Sequence, residues 1–366
     1  MSIESALITY MNKKFHRRCN LFILWVPITI LLNSCGSDFK SVEDFVKEHQ
    51  TNIKTYSDSL SQDIYESCLR RTHYIILTTL EGPDIREDTL EECNTDNKPN
   101  VTRVKNANDL LLKYMTRLGQ VASGQTVSFN ENIDNLQTAL VNLKVGTFGF
   151  PKPTVEAGTN IFRILVNTFS KEKRGRGLKK AILCGNESLQ TYITGNPTFD
   201  EKQPPSEGLI KLAQDGYIEG ILEIEKSQIN SYYKTYFANI RQSNGLPIST
   251  ALEVEKEYNK AMEIVQEKIN NAQNYISVLQ ATAQAHNQLK NEFLGKGENA
   301  IGQEEVKELC QSVFAGRESD LEKSKQNTKL DINKHQMRKA QEILSHYSQK
   351  LKILQNDLKK ESNTNI

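Results

Sequence analysis

The chain is poor in residues that interrupt helices. It has 9 prolines in 366 residues, clustered in a few places. Proline inside a helix removes a hydrogen bond and clashes with the preceding turn, so long helices are open to the stretches between them. An excess of either charge is also lacking. Forty-six Lys and Arg against 45 Asp and Glu leave a formal charge of +1. That removes the general electrostatic reason to expect nucleic acid or an acidic membrane surface as partner. No stretch alternates with period two for long enough to form a substantial sheet. Past residue 34 there is no run of 18 apolar residues, so nothing there reads as a membrane span.

Signatures of chemistry are missing as well. There is no G-x-S-x-G, no H-E-x-x-H and no P-loop. No CxxC pair occurs and the six histidines are scattered, which speaks against a zinc site. Gly175-x-Gly177 lacks the strand and third glycine of a dinucleotide loop. The expectation is therefore no catalytic residue, no metal ligand set and no cofactor. A helical cell-wall hydrolase is one alternative. It would need two carboxylates converging in a cleft, and no such pair stands out. A transporter's small-molecule binding component would call for α/β segments, which are missing.

What is present begins with a targeting segment. Lys13, Lys14, Arg17 and Arg18 form a basic stretch, and Leu21 to Leu32 then runs apolar. This run is too short for a comfortable transmembrane helix, which needs roughly 20 residues. It ends in Leu32-Asn33-Ser34-Cys35. Leu at −3, a small residue at −1 and Cys at +1 resemble the lipobox of bacterial lipoproteins. The resemblance covers the precursor segment alone. It implies that residues 1–34 are removed and that Cys35 carries lipid. More than one acyl chain gives stable anchoring. Gly36 stands at +2 in place of the Asp that retains such proteins in the inner membrane, which implies the outer membrane in a Gram-negative cell. Met11, followed by Asn-Lys-Lys, is the better candidate start, because Met1 to Tyr10 carries Glu4 and no signal character.

The remainder predicts an all-α fold, an elongated helical bundle with a long C-terminal antiparallel helical hairpin. We expect an N-terminal helical region over 35–200 and a long-helix region over 201–362, packed as one integrated domain. Phe45, Ile53, Tyr56, Leu60, Ile64, Leu69, Tyr74 and Leu77 recur at helical spacing, so a helix runs from Ser37 to about Leu80. Gly82-Pro83 should end it, and the polar stretch through Pro99 reads as a loop. Ala107 to Val121 and Ile133 to Leu143 are short amphipathic helices, the second with a possible capping box at Ser128 and Glu131. Gly146 to Pro153 breaks the chain, and Ile161 to Phe169 is an apolar helical patch. Glu207 to about Ile240 should present Ile210, Ala213, Tyr217, Ile221 and Ile224 on one face.

The last third carries the clearest pattern. Tyr258, Met262, Val265, Ile269, Ala272, Ile276, Leu279 and Ala283 alternate by four and three, as do Met337, Ala340, Leu344, Tyr347, Leu351, Leu354 and Leu358. These heptad seams predict paired helices over about 250–294 and 318–358, separated by a break at Gly295, Gly297 and Gly302.

Several residues call for weighing. Cys68, Cys93, Cys184 and Cys310 in an exported chain suggest two disulfides. Three connectivities are open. Cys68–Cys93 is favoured because a helix, a loop and a return separate them, and Cys184–Cys310 would then tie the middle helices to the hairpin. Buried free thiols are the alternative. His286 continues a heptad seam and reads as a core histidine. His335 and His346 share a helix face without acidic partners. Lys171 to Lys180 reads as a solvated basic loop or helix end, with anionic headgroups as the alternative contact. Tyr232, Tyr233, Tyr236 and Phe237 close the bundle core or offer a contact surface. So do the loops Gly82 to Pro99, Phe148 to Pro153 and Gly195 to Pro205. The expected role is a lipid-anchored envelope protein that binds another envelope protein or acts as a spacer. A membrane-active, pore-forming-like protein is a further alternative. For that, only Val145 to Phe150 offers a short apolar tongue.

Overall fold

The computed structural model describes residues 39–75, 82–123, 133–168, 174–198, 205–242, 247–297, 300–317 and 329–364. Residues 1–34, Cys35, Leu77, Ser128, Glu131, residues 199–204 and residues 318–328 lie outside the described residues. The described part is 87% helical, far above the third typical of soluble domains. The all-α expectation holds.

In chain order the elements are α1 (Lys40–Thr72), α2 (Gly82–Glu92), a π-helical turn (Cys93–Asn97) and α3 (Lys98–Ser123). Next come α4 (Ile133–Val141), the two-residue strands β1 (Lys144–Val145) and β2 (Phe148–Gly149), α5 (Lys152–Asn167) and α6 (Arg174–Thr194). A single turn α7 (Gly208–Lys211) leads into a π-helical segment (Leu212–Leu222) and α8 (Glu223–Gln242). The chain closes with α9 (Ile248–Leu294), α10 (Gln303–Phe314) and α11 (Lys334–Thr364).

At 47 residues, α9 spans about 70 Å at 1.5 Å per residue. It runs antiparallel to α1, with Thr282 against His49 and Lys268 against Asp63. The α3 helix returns along α1, joined by the Cys68–Cys93 disulfide at one end and a Gln50–Thr116 hydrogen bond near the other. The α6 helix inserts between α3 and α9. Its Tyr192 hydroxyl donates to the Ala107 carbonyl, and Gln190 donates to the Ala283 carbonyl. One apolar core threads all of these elements. From Val278 to His286 almost every side chain of α9 is buried, because α1, α6 and α11 surround it there.

The C-terminal hairpin is present with altered limits. Its second arm, α11, begins at Lys334, not near 318. Asn333 and Gln336 fix this start reciprocally. The Gln336 amide donates to Asn333 Oδ1 at 2.8 Å and the Asn333 amide to Gln336 Oε1 at 3.4 Å, a capping box read with Asn and Gln. Gln336 also donates to the Glu292 carbonyl, pinning the two arms together. Between the arms lies α10, a helix that the sequence reading did not assign. Of the two seams, Val265, Ile269, Ala272, Leu279, Ala283, Ala340, Leu344, Tyr347 and Leu351 are buried as expected.

Two expectations are overturned. The polar stretch from Gly82 to Pro99 is not a loop. It is helical throughout, with the π turn ending two residues before Pro99. A proline ring clashes with the carbonyl four residues back, and the wider turn accommodates it. The helix from Glu207 is π-helical over eleven residues. Each i→i+5 turn holds an extra residue, so the apolar stripe slips out of phase. Ile224 comes out 42% exposed, while Glu225 turns inward to 1%. The apolar tongue Val145 to Phe150 forms a β-hairpin folded onto the π segment, with Val145 and Phe150 buried.

That hairpin docks through glycines. Gly146 has φ of 56°, and a Cβ built on Gly216 would stand 2.8 Å from the Val145 carbonyl oxygen. Backbone cannot yield there as a flexible side chain would. Gly216→Val should therefore destabilise the fold by about 2 kcal/mol, within the range for overpacking. Thermal denaturation followed by circular dichroism measures it, and an unchanged midpoint would contradict this packing.

Candidate functional site

The most concentrated chemistry in the interior is an ion cluster where α1, α8 and the π segment meet. Asp63, Ser67 and Arg70 share one face of α1 at helical spacing. The phase slip described above brings Tyr217 and Glu225 onto them. Arg70 grips both carboxylates by separate edges of its guanidinium. Nε and Nη2 donate to Glu225 Oε1 and Oε2 at 2.7 and 2.9 Å, while Nη1 and Nη2 donate to Asp63 Oδ1 and Oδ2 at 2.7 and 3.2 Å. The Tyr217 hydroxyl donates to Asp63 Oδ2 at 2.6 Å, and the Ser67 hydroxyl to Glu225 Oε2. Lys268 of α9 lies 3.7 Å from Asp63. Two cations against two carboxylates leave the cluster neutral. Burial opposes the charge on Arg70, but its bonds to Glu225 and Asp63 outweigh that and raise its pKa further above the ordinary value. Burial, and then Asp63, hold the Tyr217 phenol well above its usual range. With every carboxylate oxygen engaged, the cluster is built to hold helices rather than to transfer protons.

A second polar line runs through α3, α6 and α9. Asn186 Oδ1 can only accept, so His286 donates to it from Nδ1 at 3.0 Å. The Tyr114 hydroxyl lies between His286 Nε2, at 2.7 Å, and the Ala181 carbonyl, at 3.0 Å. His49 Nδ1 lies 2.9 Å from Thr282 Oγ1, and its Nε2 has no hydrogen-bond partner among the described residues. Burial lowers both histidines from 6.5 to about 3. His286 is thus the core histidine its seam position implies. His335 and His346 are not brought to a shared site. The first lies 3.9 Å from Glu292, and the second packs on the Tyr347 ring. Among the described residues no group of three or more His, Cys, Asp or Glu could hold a metal.

The basic run is corrected by the structure over the part it describes. Lys179 and Lys180 are buried at the start of α6, not solvated. Lys179 Nζ donates to the Lys329 carbonyl at 2.7 Å and faces a cavity of about 520 Å³ beside the α9–α11 junction. Burial pulls its amine down to about 8, against the pull of Asp331. Arg176 pairs with Asp331 at 2.6 Å. The run therefore braces the turn before α11. Periodicity alone misses this, because lysine on a short apolar helix looks the same whether it reaches solvent or a carbonyl.

Both cysteine pairs stand at bonding geometry. Cys68–Cys93 joins α1 to the π turn, and Cys184–Cys310 joins α6 to α10. The tyrosines pack together. Tyr74 and Tyr258 join Tyr232, Tyr233 and Tyr236 in edge-to-face and stacked contacts, with Phe237 against Tyr236. Only Tyr233 is fully buried, so these rings cap the core while keeping outer edges free. Comparison with protein-family models, with characterised proteins and with solved structures finds no match to the chain.

The two histidines generate a pH dependence with a fixed sign. Each has a folded pKa of about 3 against 6.5 in the open chain, so the unfolded state binds more protons between those values. Their contribution is complete above about pH 6.5 and is lost as pH falls toward 3. The slope approaches 1.4 kcal/mol per pH unit for each histidine. Urea titrations at pH 7, 5.5 and 4.5 should show a falling midpoint. In His286→Gln the fall should be shallower, and an identical slope would remove His286 from the account.

Proposed function

We propose that the chain is a lipid-anchored cell-envelope protein whose helical bundle works by contact with another protein, without catalysis. The observation that carries the reading is the pair of cysteine bridges in a chain that also bears a Leu-Asn-Ser-Cys lipobox at Cys35. Disulfides persist in oxidising compartments outside the cytosol. The lipobox supplies the tether that keeps such a protein at a membrane, in a Gram-negative cell the outer one. No helix of the described residues is long and apolar enough to cross a membrane, so anchoring in this reading rests on the lipid.

The contact surface we favour is the start of α9. Ile248 and Leu252 are 80% and 52% exposed there, on the helix whose Tyr258 packs on Tyr233 of the aromatic cap. Isolated exposed apolar residues are ordinary. A ridge of them beside Tyr and Phe rings has the composition enriched at protein interfaces.

Metabolic labelling with an alkyne fatty acid, combined with a photoreactive residue at position 252, tests both parts. Label should appear on the protein and vanish in Cys35→Ala. Crosslinking in intact cells should capture one envelope protein repeatedly. Label persisting in Cys35→Ala would refute the anchor. Lipid adducts alone, with dye leakage from liposomes, would favour the membrane-active alternative.

A further inference from the structure

The two disulfides have opposite surroundings. Cys68 and Cys93 are sealed at 1% and 0% exposure, and Asn97 Nδ2 lies on Cys68 Sγ at 3.3 Å. Cys184 and Cys310 instead line a groove of about 640 Å³ between α5, α6 and α10. Cys184 is buried at its floor, while Cys310 is only half-buried. Polar side chains edge the groove, among them Ser188, Thr191 and Gln311, so water and a polar reagent can enter. Thiol–disulfide exchange proceeds by attack of a thiolate on one sulfur, and its rate depends on access to that sulfur.

We propose that Cys184–Cys310 is a thiol-exchange site, opened by a thiol reductant that enters this groove and attacks Cys310 Sγ. A bond forms between the incoming sulfur and Cys310 Sγ. The Cys184–Cys310 bond breaks, and its electron pair leaves on Cys184, which takes a proton from water. A second thiolate of the reductant then attacks the mixed disulfide at the reductant's own sulfur. The two reductant sulfurs are joined and oxidised, and Cys310 is released as a thiolate that is protonated in turn. Both cysteines end as thiols. The reductant is a free small thiol or the dithiol of an oxidoreductase, and the chemistry is common to both.

The consequence is local. Cys184–Cys310 is the covalent tie between α6 and α10, the helix interposed between the arms of the hairpin. Besides the bridge, α10 is held by buried Leu309 and Val313 and by the bond from Asn167 Nδ2 to the Val313 carbonyl. Opening therefore loosens α10 and leaves the α1–α3–α6–α9 core assembled, with the sealed Cys68–Cys93 bridge intact.

The test uses the exported full-length protein. It is exposed to graded reduced glutathione, to dithiothreitol, or to a thioredoxin-type dithiol protein kept reduced, then quenched with iodoacetamide and mapped by mass spectrometry. Cys184 and Cys310 should become alkylated at least about tenfold faster than Cys68 and Cys93. The glutathione adduct should sit on Cys310, and amide exchange should rise over 303–314 but not over 40–72. Faster opening by the dithiol protein than by dithiothreitol at equal thiol concentration assigns an oxidoreductase, and the reverse assigns small thiols. Cys68–Cys93 opening first, both bridges opening at one rate, or an adduct on Cys184 would overturn the proposal.

Discussion

The arrangement depends on one guanidinium. Arg70 reaches both Asp63, on its own helix, and Glu225, arriving from α8. Each carboxylate is about 1% exposed. A carboxylate taken that far from water is tolerable only when fully paired and hydrogen-bonded. Arg70 bonds both groups bidentately, and Tyr217 and Ser67 take up further lone pairs. The geometry in turn requires the π segment. Without its extra residue per turn, Ile224 would face inward and Glu225 would face water. The glycines of that segment admit the β-hairpin at the same level. A charged cluster, a helix irregularity and a hairpin dock therefore specify one another.

Polar bonds play the same registering role elsewhere. Apolar helices can slide by a turn at little cost, because hydrophobic burial is non-directional. Hydrogen bonds between fixed partners cannot. Tyr192 to Ala107, Gln190 to Ala283 and Tyr114 to His286 each fix one pair of helices at one offset. The disulfides add chain-entropy stabilisation. It is roughly 3 kcal/mol for a short closed loop, and closer to 5 for a span as long as that between Cys184 and Cys310.

The sequence made much of this visible, for identifiable reasons. Long helices announce themselves by apolar spacing, and the seams through Val265 and Leu279 or Leu344 and Leu351 point at the core as that spacing requires. Both cysteine pairs match the connectivity favoured among the three that the sequence left open. The π turns were illegible, since an i→i+5 segment has no composition of its own. Its neighbour Ile224 was therefore placed on the wrong face. The stretch before Pro99 looked like a loop because proline and polar residues are breakers on average, while here a widened turn absorbs the ring. Asn333 and Gln336 did carry a readable cap for α11, which heptad counting passed over. The roles of Lys179 and Arg70 depend on partners more than 140 residues away, and no local pattern encodes such meetings.

The central claim is that paired burial, and not charge itself, sets the packing of α1 against α8. Denaturant unfolding of Arg70→Met, compared with the triple variant Asp63→Leu, Arg70→Met, Glu225→Leu, tests it most directly. Removing Arg70 leaves the buried Glu225 without a cation and Asp63 with Lys268 alone, and should cost about 3–5 kcal/mol. Removing all three charges should cost distinctly less than the single change, a strongly non-additive cycle. Costs that simply add, with the triple variant the least stable, would contradict the account.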